Sequence, residues 1–492
     1  MKPRIILYNP RSNSSGKKIL PMSLLALGAV LEGRYEYNIV DGNASPEPLR
    51  LVREQVRQGA GVLAVTVMPG PQLLQAFPEC RALKTEYPQL TVVWGGYFPT
   101  LHASSCLRSP AVDCVIQGHG ELVFLQFLDL LERNGDLKTL DGLAYRDRNG
   151  TVIENPPAAI PHPETLPPFP YHRIDMLQYV RSTFLGSRTL GHHSSYGCPF
   201  QCNFCAVVNM VDGRWLPQPA ELVAEIARLY VRRWQVNAIE FYDNNFFTHE
   251  ARVAEVAARI APLRLSWWGE ARIDTLLKYS EATWRSMRDS GLKMVFMGAE
   301  SATAGTLQRM RKGGSMTPAQ TLEIAAKTRE YGVVPEFSFV VGNPPDAEAD
   351  VRNTFGFIRR LKKVNPASEI ILYNYTPVPL DGELYRAAVA GGFDFPETLE
   401  EWVSADWMEF SCRRHARVPW LREGLRRKIR DFEQVLNAYY PTRTNASLNG
   451  GHRALLRAAS AWRYHTGVYG FPVELRVFQK LLHYQRPETA GF

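Results

Sequence analysis

The feature that most constrains the fold of this chain is a repeated alternation of short apolar runs with helix-like segments. In the first 140 residues, helix-like stretches separate five apolar runs with strand character. These runs are RIILYNP (4–10), YNIVDGN (37–43), GVLAVTVM (61–68), LTVVWGG (90–96) and DCVIQGHGE (113–121). Because strands that alternate with helices form parallel βαβ units, the sequence predicts an α/β fold with an N-terminal doubly wound parallel sheet.

A second alternating block follows, and we place it at residues 186–390. One strand is expected to lead into a loop rich in cysteine, and five more follow it. These are AIEFYD (238–243), LSWWGE (265–270), KMVFMGAE (293–300), EFSFVVG (336–342) and EIILYNYTP (369–377). Six strands with helices between them predict a βα barrel, in which functional side chains lie at the carboxyl ends of the strands.

The remaining segments differ in character from the two blocks. YRDRNGTVIE (145–154) is typical of a hairpin with an Asn149-Gly150 turn, and the proline-rich stretch to residue 170 predicts an extended linker. Beyond residue 390 the chain looks helical and irregular, and its aromatic residues fit a core better than a substrate pocket. The predicted units are an N-terminal sheet (1–140), a hairpin and linker (141–185), a barrel (186–390) and a mainly helical region (391–492).

The cysteines point to a metal or redox site. Three of the seven cysteines, Cys198, Cys202 and Cys205, lie in the stretch YGCPFQCNFCA with C-x3-C-x2-C spacing. A structural zinc site normally has four ligands, a redox pair needs only two cysteines, and chance clustering of buried thiols is improbable. An iron–sulfur cluster remains, and three thiolates would leave one iron open to a substrate.

Composition restricts the compartment and the partners. The net charge is +8, and basic residues are dense at 413–430. Such a surface suits nucleic acid, an anionic ligand or an acidic protein, although a solvated helix face is the simpler interpretation. The N-terminal stretch lacks the apolar core of a signal peptide, no long apolar run predicts a membrane span, and the cysteine number is odd. We therefore expect a cytoplasmic protein.

The cysteine motif, with the aromatic Phe204 before its last cysteine, resembles the radical S-adenosylmethionine superfamily. That resemblance implies a partial (β/α)6 radical SAM barrel and a [4Fe-4S] cluster on Cys198, Cys202 and Cys205. It also implies that the open iron chelates S-adenosylmethionine. Electron transfer from the cluster would cleave the sulfonium and yield a 5′-deoxyadenosyl radical.

The same resemblance assigns roles to polar residues where strands end. Glu300 matches the acidic residue that hydrogen-bonds the ribose of S-adenosylmethionine, and Gly342 matches the glycine that admits the adenine. Arg272 is a plausible partner for the methionine carboxylate, since a guanidinium matches a carboxylate fork. Asp243 and Phe204 complete the expected S-adenosylmethionine site. Each of these alone could equally be a helix cap or a surface ion pair.

The N-terminal block resembles the cobalamin-binding branch of the superfamily. VDGNASP (40–46), WGGYFPTLHA (94–103), IQGHGE (116–121) and LPPFPYHRIDM (166–176) carry this resemblance, which covers roughly residues 1–390. Anaerobic magnesium-protoporphyrin monomethyl ester cyclase and several C-methyltransferases share this layout. The implied cobalamin-binding residues are Asn9, Asp41, Asn43, Met68, Pro69, Gly95, Gly96, Gly118, His119, Gly120 and Glu121.

One departure concerns the lower face of the cobalt. The motif D-x-H-x-x-G, whose histidine ligates cobalt in many cobalamin proteins, is missing from the sequence. We expect the lower face to be open or blocked by Met68 or Pro69. His102 and His119 are the histidines of this block and deserve testing as ligands.

The resemblance implies a cobalamin-dependent radical SAM C-methyltransferase that acts on an unactivated carbon of a small molecule, using methylcobalamin. A flavodoxin or ferredoxin is the expected electron donor. The alternative is a cyclase, oxidative or rearrangement enzyme that uses cobalamin without methyl transfer. A non-catalytic nucleic-acid-binding iron–sulfur protein is more remote, because carboxylates at the strand ends would repel phosphates.

Overall fold

The computed structural model describes residues 2–12, 17–312, 316–411, 418–442, 444 and 448–482. Residues 13–16 of the first strand-end loop and 413–417 of the basic segment lie outside the described residues. None of the helices described in this structure combines the length and apolar character needed to cross a membrane.

The N-terminal sheet has seven strands, and the first five are parallel as the sequence predicts. They are β1 (Arg4–Asn9), β2 (Tyr37–Asp41), β3 (Ala60–Thr66), β4 (Thr91–Gly95), β5 (Cys114–Ile116), β6 (Leu143–Arg146) and β7 (Val152–Glu154). The order across the sheet is β2-β1-β3-β4-β5-β6-β7. The predicted hairpin supplies the antiparallel strands β6 and β7 at the edge, joined through Gly150 at φ +83°.

Both faces of this sheet are covered by helices. The helices are α1 (Met22–Leu31), α2 (Pro48–Arg57), α3 (Pro71–Glu86), α4 (Tyr97–Leu101), α5 (Ala103–Leu107) and α6 (Glu121–Arg133). Along β1, Ile5 and Leu7 join the core under α1 and α6, whereas Ile6 and Tyr8 join the core under α2 and α3. Alternate side chains of one strand thus enter opposite layers, which explains the continuous apolar runs of the sequence.

The second sheet has six parallel strands and confirms the barrel-type prediction. They are β8 (Thr189–His192), β11 (Ala238–Phe241), β12 (Ser266–Ala271), β13 (Leu292–Glu300), β14 (Val334–Val341) and β15 (Glu369–Asn374), hydrogen-bonded in chain order. Between β8 and β11 the chain forms a small antiparallel pair, β9 (Ser195–Gly197) and β10 (Trp215–Pro217), with helix α7 (Val207–Val211) between them.

Helices surround this sheet and continue into the C-terminal region. In the barrel they are α8 (Ala220–Trp234), α9 (Glu250–Ile260), α10 (Ile273–Leu276), α11 (Glu281–Asp289), α12 (Ala304–Arg309), α13 (Pro318–Glu330), α14 (Ala347–Val364) and α15 (Glu383–Ala390). The C-terminal helices are α16 (Leu399–Trp402), α17 (Ala405–Ser411), α18 (Glu423–Tyr439), α19 (Gly450–Thr466) and α20 (Val473–Leu482). Phe355 of α14 stacks on Phe432 of α18 at 3.7 Å between ring centroids, so the C-terminal region shares the barrel core.

The segment between the two sheets contacts both of them. Arg173 forms an ion pair at 2.7 Å with Glu32, the residue after α1, and the Tyr179 hydroxyl donates to Asp41 at the end of β2. On the other side, the hydroxyls of Tyr171 and Tyr230 of α8 lie 3.1 Å apart. This segment therefore fixes the N-terminal sheet against the barrel.

Candidate active site

The three cysteines lie on the loop between β9 and α7, above the carboxyl end of the barrel strands. Cys202 is buried, and Cys198 and Cys205 are partly exposed. The Cys205 amide donates to the Cys202 carbonyl at 3.1 Å, so the last two cysteines share a tight turn. The short antiparallel pair of β9 and β10 anchors the loop at Gly197, the residue before Cys198.

Polar side chains from the barrel strands reach the thiols. Arg272, after β12, donates from Nη1 to Cys202 Sγ at 3.3 Å, and Asn245, after β11, lies with Nδ2 3.9 Å from Cys198 Sγ. Burial raises the pKa of Cys198, while the Phe200 amide and the charge of Arg272 oppose that shift. These donors would stabilise thiolates once a metal has displaced the protons.

The kinds of metal site that three thiols could form differ in the geometry that they require. Within the described ranges, no group of three or more His, Cys, Asp or Glu side chains is arranged to hold one metal ion. In a four-iron cluster each thiolate binds a different iron, so the sulfurs need not converge on one point. The cysteine loop therefore suits a polynuclear cluster.

Glu300 forms a buried ion pair that the sequence did not reveal. Glu300 ends β13 with φ +58°, and its Oε1 accepts from Lys312 Nζ at 2.8 Å. The exposed fractions of Glu300 and Lys312 are 5% and 6%. Gly298 makes room for the pair, because a Cβ there would lie 1.9 Å from Glu300 Oε1 and 2.6 Å from Lys312 Nζ. A non-glycine residue in the left-handed region is strained, and such strain concentrates at functional sites.

Lys312 joins three of the residues expected to bind S-adenosylmethionine. Besides Glu300, its Nζ lies 5.8 Å from the ring centroid of Phe204, and its backbone carbonyl accepts from Arg272 Nη2. Burial lowers the pKa of Lys312, but the charges of Glu300 and Cys202 raise it, and the net shift is upward. Lys312 thus stays charged in the centre of the site.

Arg272 already has a carboxylate partner within the chain. Its guanidinium forms two hydrogen bonds with Asp274, at 3.0 Å and 2.9 Å, and its carbon lies 3.8 Å from the ring centroid of Phe200. The arginine is therefore held between Phe200, Asp274 and Cys202. Its contact with the methionine carboxylate remains a prediction.

Asp243 and Gly342 lie where the sequence places them, at the ends of β11 and β14. The fully buried Asp243 carboxylate accepts from the backbone and hydroxyl of Ser194 at 3.0 Å and 2.9 Å, and so holds the approach to the cysteine loop. Gly342 adopts φ +77°, and its carbonyl accepts from Trp420 at 2.9 Å. A larger residue at Gly342 would be strained by this left-handed φ, and its Cβ would lie 2.8 Å from the end of the Leu421 side chain.

Three asparagines at the cysteine loop or at strand ends of the barrel have a buried oxygen without a partner among the described residues. The Oδ1 atoms of Asn203, Asn245 and Asn343 accept no hydrogen bond from the described residues. Asn343 follows Gly342, and Asn245 contacts Cys198 through its other amide atom. Unpaired buried acceptors are costly unless a ligand supplies the donors. S-adenosylmethionine carries such donors on its amino group and its adenine.

On the N-terminal sheet, the strand ends that resemble a cobalamin site form one network. Asn9 donates to Asp41 at 2.9 Å, and the Asn43 amide donates to the same carboxylate at 2.9 Å. Gln72 donates to Asn9 and accepts from the Met68 amide at 2.8 Å. The ends of β1, β2 and β3 are thereby fixed together, and the Met68 side chain is left 39% exposed.

The other residues of this group lie on the adjoining loops. Pro69 follows Met68 after β3, and Gly95 and Gly96 lie at the end of β4. Gly118 and Gly120 lie between β5 and α6, and Glu121 begins α6; Gly118 is near the carbonyl of Met210 in α7. All of them therefore lie at the carboxyl edge of the sheet, and Gly118 lies on the side that meets the barrel.

The loop before α6 and the first residue of that helix touch β9, the strand that leads into the cysteine loop. The ring of His119 lies 4.4 Å from the ring of Tyr196, and the Tyr196 hydroxyl donates to Glu121 Oε1 at 2.8 Å. Tyr196 precedes Cys198 by two residues. Glu121 Oε2 is buried and accepts no hydrogen bond from the described residues, so it suits an amide donor of a bound corrin.

His102 lies in a different environment from His119. It packs among Phe98, Phe395 and Trp402, with centroid distances of 4.6–5.2 Å. Burial lowers the pKa of His102 to about 4. Trp402 and Phe410 of the C-terminal aromatic segment are also buried, as expected of core residues.

Family models match the two regions of the chain that carry these residues. A model described as B12 binding domain matches residues 10–128, and a model described as Radical SAM superfamily matches residues 193–358. An uncharacterized methyltransferase of Pyrococcus horikoshii is 26% identical over 370 residues, which are 73% of this chain and 78% of that protein. The anaerobic magnesium-protoporphyrin IX monomethyl ester cyclase of Synechocystis is 27% identical and covers 63% of each chain.

A solved structure has the same fold over nearly the whole chain. It is the radical S-adenosylmethionine methyltransferase TsrM from Kitasatospora setae, with cobalamin and a [4Fe-4S] cluster bound. Its TM-score is 0.67 at 15% identity, and the match covers 98% of this chain and 99% of TsrM. The described sheets and C-terminal helices thus follow a known arrangement.

Proposed function

Because this chain belongs to the cobalamin-binding branch of the radical SAM superfamily, we propose that it is a cobalamin-dependent C-methyltransferase. Its cofactors are a [4Fe-4S] cluster, S-adenosylmethionine and cobalamin. Its substrate is a small molecule with an unactivated carbon. The methyltransferase names of the Pyrococcus relative and of TsrM support methyl transfer over the cyclase alternative.

One observation carries the proposal: the contact of His119 and Glu121 with Tyr196. It joins the region of the N-terminal sheet that resembles a cobalamin site to β9, the strand that leads into Cys198. A methyl group can pass to a substrate only if the two cofactors face the same space. The contact with β9, which leads into the cysteine loop, supports such an arrangement.

The residues of the barrel prepare the site for its cofactors. When bound, the cluster supplies electrons for cleavage of S-adenosylmethionine and cobalamin supplies a transferable methyl group. Arg272 and Asn245 hold Cys202 and Cys198 in place and donate toward their sulfurs. Asp243 fixes the preceding loop through Ser194. Such prearranged donors and charges reduce reorganisation when the cofactors enter.

We propose that Glu300 binds the ribose of S-adenosylmethionine and that Lys312 positions it. The ion pair at 2.8 Å orients the carboxylate of Glu300, whose two oxygens could accept from the two ribose hydroxyls. The unpaired acceptors Asn245 and Asn343 would receive the amino group and the adenine. The lower face of cobalamin would meet Met68 or Pro69 rather than a histidine.

The electron donor and the compartment belong to the same proposal. A flavodoxin or ferredoxin would reduce the cluster, and the protein would act in the cytoplasm. Cyclisation or another oxidative reaction without methyl transfer is the competing outcome, and the Synechocystis cyclase gives it a specific basis.

Product analysis tests the proposal. The holoenzyme, reduced without oxygen, is incubated with candidate substrates and S-adenosylmethionine deuterated at its methyl group. We expect a product heavier by one methyl group that retains all three deuterium atoms. A product that is cyclised or oxidised without label would replace methyl transfer with the cyclase-type reaction.

A further inference from the structure

A second pocket lies away from the candidate active site, between α14, the start of β15 and helices α18 and α19. Its volume is about 330 Å³. The residues that the argument uses from its lining are Lys362, Ser368, Glu369, Asn437, Arg453 and Arg457. This volume is near the lower end of the range for small-molecule pockets, which begins at about 300 Å³.

The pocket is at the opposite end of the sheet from the cysteine loop. Glu369 begins β15, whereas the strand ends at Asn374 beside the other carboxyl ends. At about 3.3 Å per residue, the length of β15 separates the pocket from the reaction centre by roughly 17 Å. A ligand here would not be a substrate in contact with the cluster.

Positive charge dominates the lining. Arg453 and Arg457 supply two cations, Lys362 supplies a third when it is protonated, and Glu369 supplies one anion. Glu369 is turned toward Thr444, whose amide and hydroxyl donate to it at 3.1 Å and 2.9 Å. The lining therefore attracts anions even with its carboxylate ionised.

The amino group of Lys362 lies at the pocket wall, where its hydrogen-bond acceptor is a backbone carbonyl. Its Nζ donates to the Ser368 carbonyl and lies 4.7 Å from the ring centroid of Tyr440. Burial lowers the pKa of Lys362 to about 7, and the charge of Glu369 only partly offsets this. Arg457, at the exposed rim, lies 5.2 Å from the ring centroid of Tyr439.

Two buried polar atoms of the lining lack partners. Asn437 Nδ2 and Ser368 Oγ make no hydrogen bond with the described residues, although the exposed fractions of Asn437 and Ser368 are 4% and 0%. Buried donors are normally satisfied, so such atoms in a cavity indicate a missing acceptor. Both lie in the same lining as Lys362.

We propose that this pocket binds the phosphate group of a small organic phosphate. The donors come from separate parts of the lining, namely Lys362, Asn437, Ser368 and Arg457. Together they offer more hydrogen-bond donors than a planar carboxylate can use. A phosphate dianion has three terminal oxygens and suits donors that approach from several directions. The apolar residues Pro366, Ala367 and Ala454 then contact the organic part.

Calorimetric titration of the full-length holoenzyme tests this proposal. Inorganic phosphate and phenyl phosphate are the probes, and acetate and benzoate are their carboxylate counterparts. We expect one saturable site for phosphate and tighter binding of phenyl phosphate. Lys362→Met and Arg457→Gln should each weaken binding tenfold or more, whereas Lys363→Met, an exposed neighbour on α14, should leave it unchanged.

Each other outcome overturns the proposal. The proposal fails if neither phosphate gives saturable heat. It also fails if the Lys362 and Arg457 variants bind phosphate with the affinity of the wild type. Tighter binding of benzoate than of phenyl phosphate would assign the pocket to carboxylates. Because Arg457 is exposed, Arg457→Gln remains informative even if Lys362→Met fails to fold. A variant without Cys198, Cys202 and Cys205 should bind phosphate normally, which separates this proposal from the proposed methyl transfer.

Discussion

The buried pair of Glu300 and Lys312 allows folding and cofactor binding to be tested separately. Lys312→Met leaves the Glu300 carboxylate buried without its cation, and Glu300→Gln leaves the Lys312 ammonium without its anion. Removal of one partner of a buried ion pair costs about 3–5 kcal/mol. For a domain of about 150–250 residues, such as the barrel, a loss of 1 kcal/mol lowers the melting temperature by about 2–4 °C. Each single variant should therefore melt roughly 6–20 °C lower than the wild type.

The double variant Glu300→Gln, Lys312→Met leaves no lone charge in the site. We therefore expect it to be more stable than either single variant. Calorimetric melting of the protein purified without oxygen measures this, and Lys293→Met, at an exposed position of the same strand β13, is the control. The reasoning fails if Lys312→Met has the same melting temperature as the wild type. It also fails if the double variant melts no higher than the single variants.

Binding of S-adenosylmethionine should follow a different pattern from stability. Loss of hydrogen bonds to a charged acceptor costs about 1.5–3 kcal/mol, which is roughly tenfold or more in affinity. Glu300→Gln should show this loss with the cluster intact, and the double variant should retain the loss although its stability recovers. Unchanged affinity in both Glu300 variants would place the ribose site elsewhere.

Three further predictions concern the cofactors. Replacement of Cys198, Cys202 and Cys205 by alanine should abolish the brown cluster and all release of 5′-deoxyadenosine, and a triple variant that still releases it would refute the cluster assignment. The electron paramagnetic resonance spectrum of the bound Co(II) form should lack hyperfine splitting from an axial nitrogen, whereas splitting that disappears in His119→Ala would identify a ligand. Tyr196→Phe should cost about 1–3 kcal/mol of stability by leaving the Glu121 carboxylate without its donor, and should lower cobalamin content but not iron content; unchanged cobalamin content would contradict a role for this contact.

The fold could be predicted because its signals are local and repeated. Both sheets came from apolar runs separated by helix-like segments, and the Asn149-Gly150 hairpin came from its turn residues. Local sequence patterns could not predict which sheet the hairpin joins. Strands β6 and β7 extend the N-terminal sheet because β6 pairs with β5, a contact between segments distant in sequence.

The site was predictable only where a motif or a strand end marked it. The three cysteines were marked by their C-x3-C-x2-C spacing, and Glu300 was marked by its position at the end of a predicted strand. Lys312 has neither, because it reaches Glu300 from a loop after α12, and its partner is visible only in three dimensions. The pairing of Arg272 with Asp274 was likewise hidden, since two residues of separation indicate no contact until the backbone turn is known.

The central claim is that one chain uses both cofactors, and S-adenosylmethionine cleavage products test it most directly. The reduced holoenzyme should form 5′-deoxyadenosine through the cluster and S-adenosylhomocysteine through methylation of the cobalt. Protein loaded with cluster but not cobalamin should form only 5′-deoxyadenosine. Formation of 5′-deoxyadenosine with no S-adenosylhomocysteine, in protein that demonstrably contains cobalamin, would contradict methyl transfer.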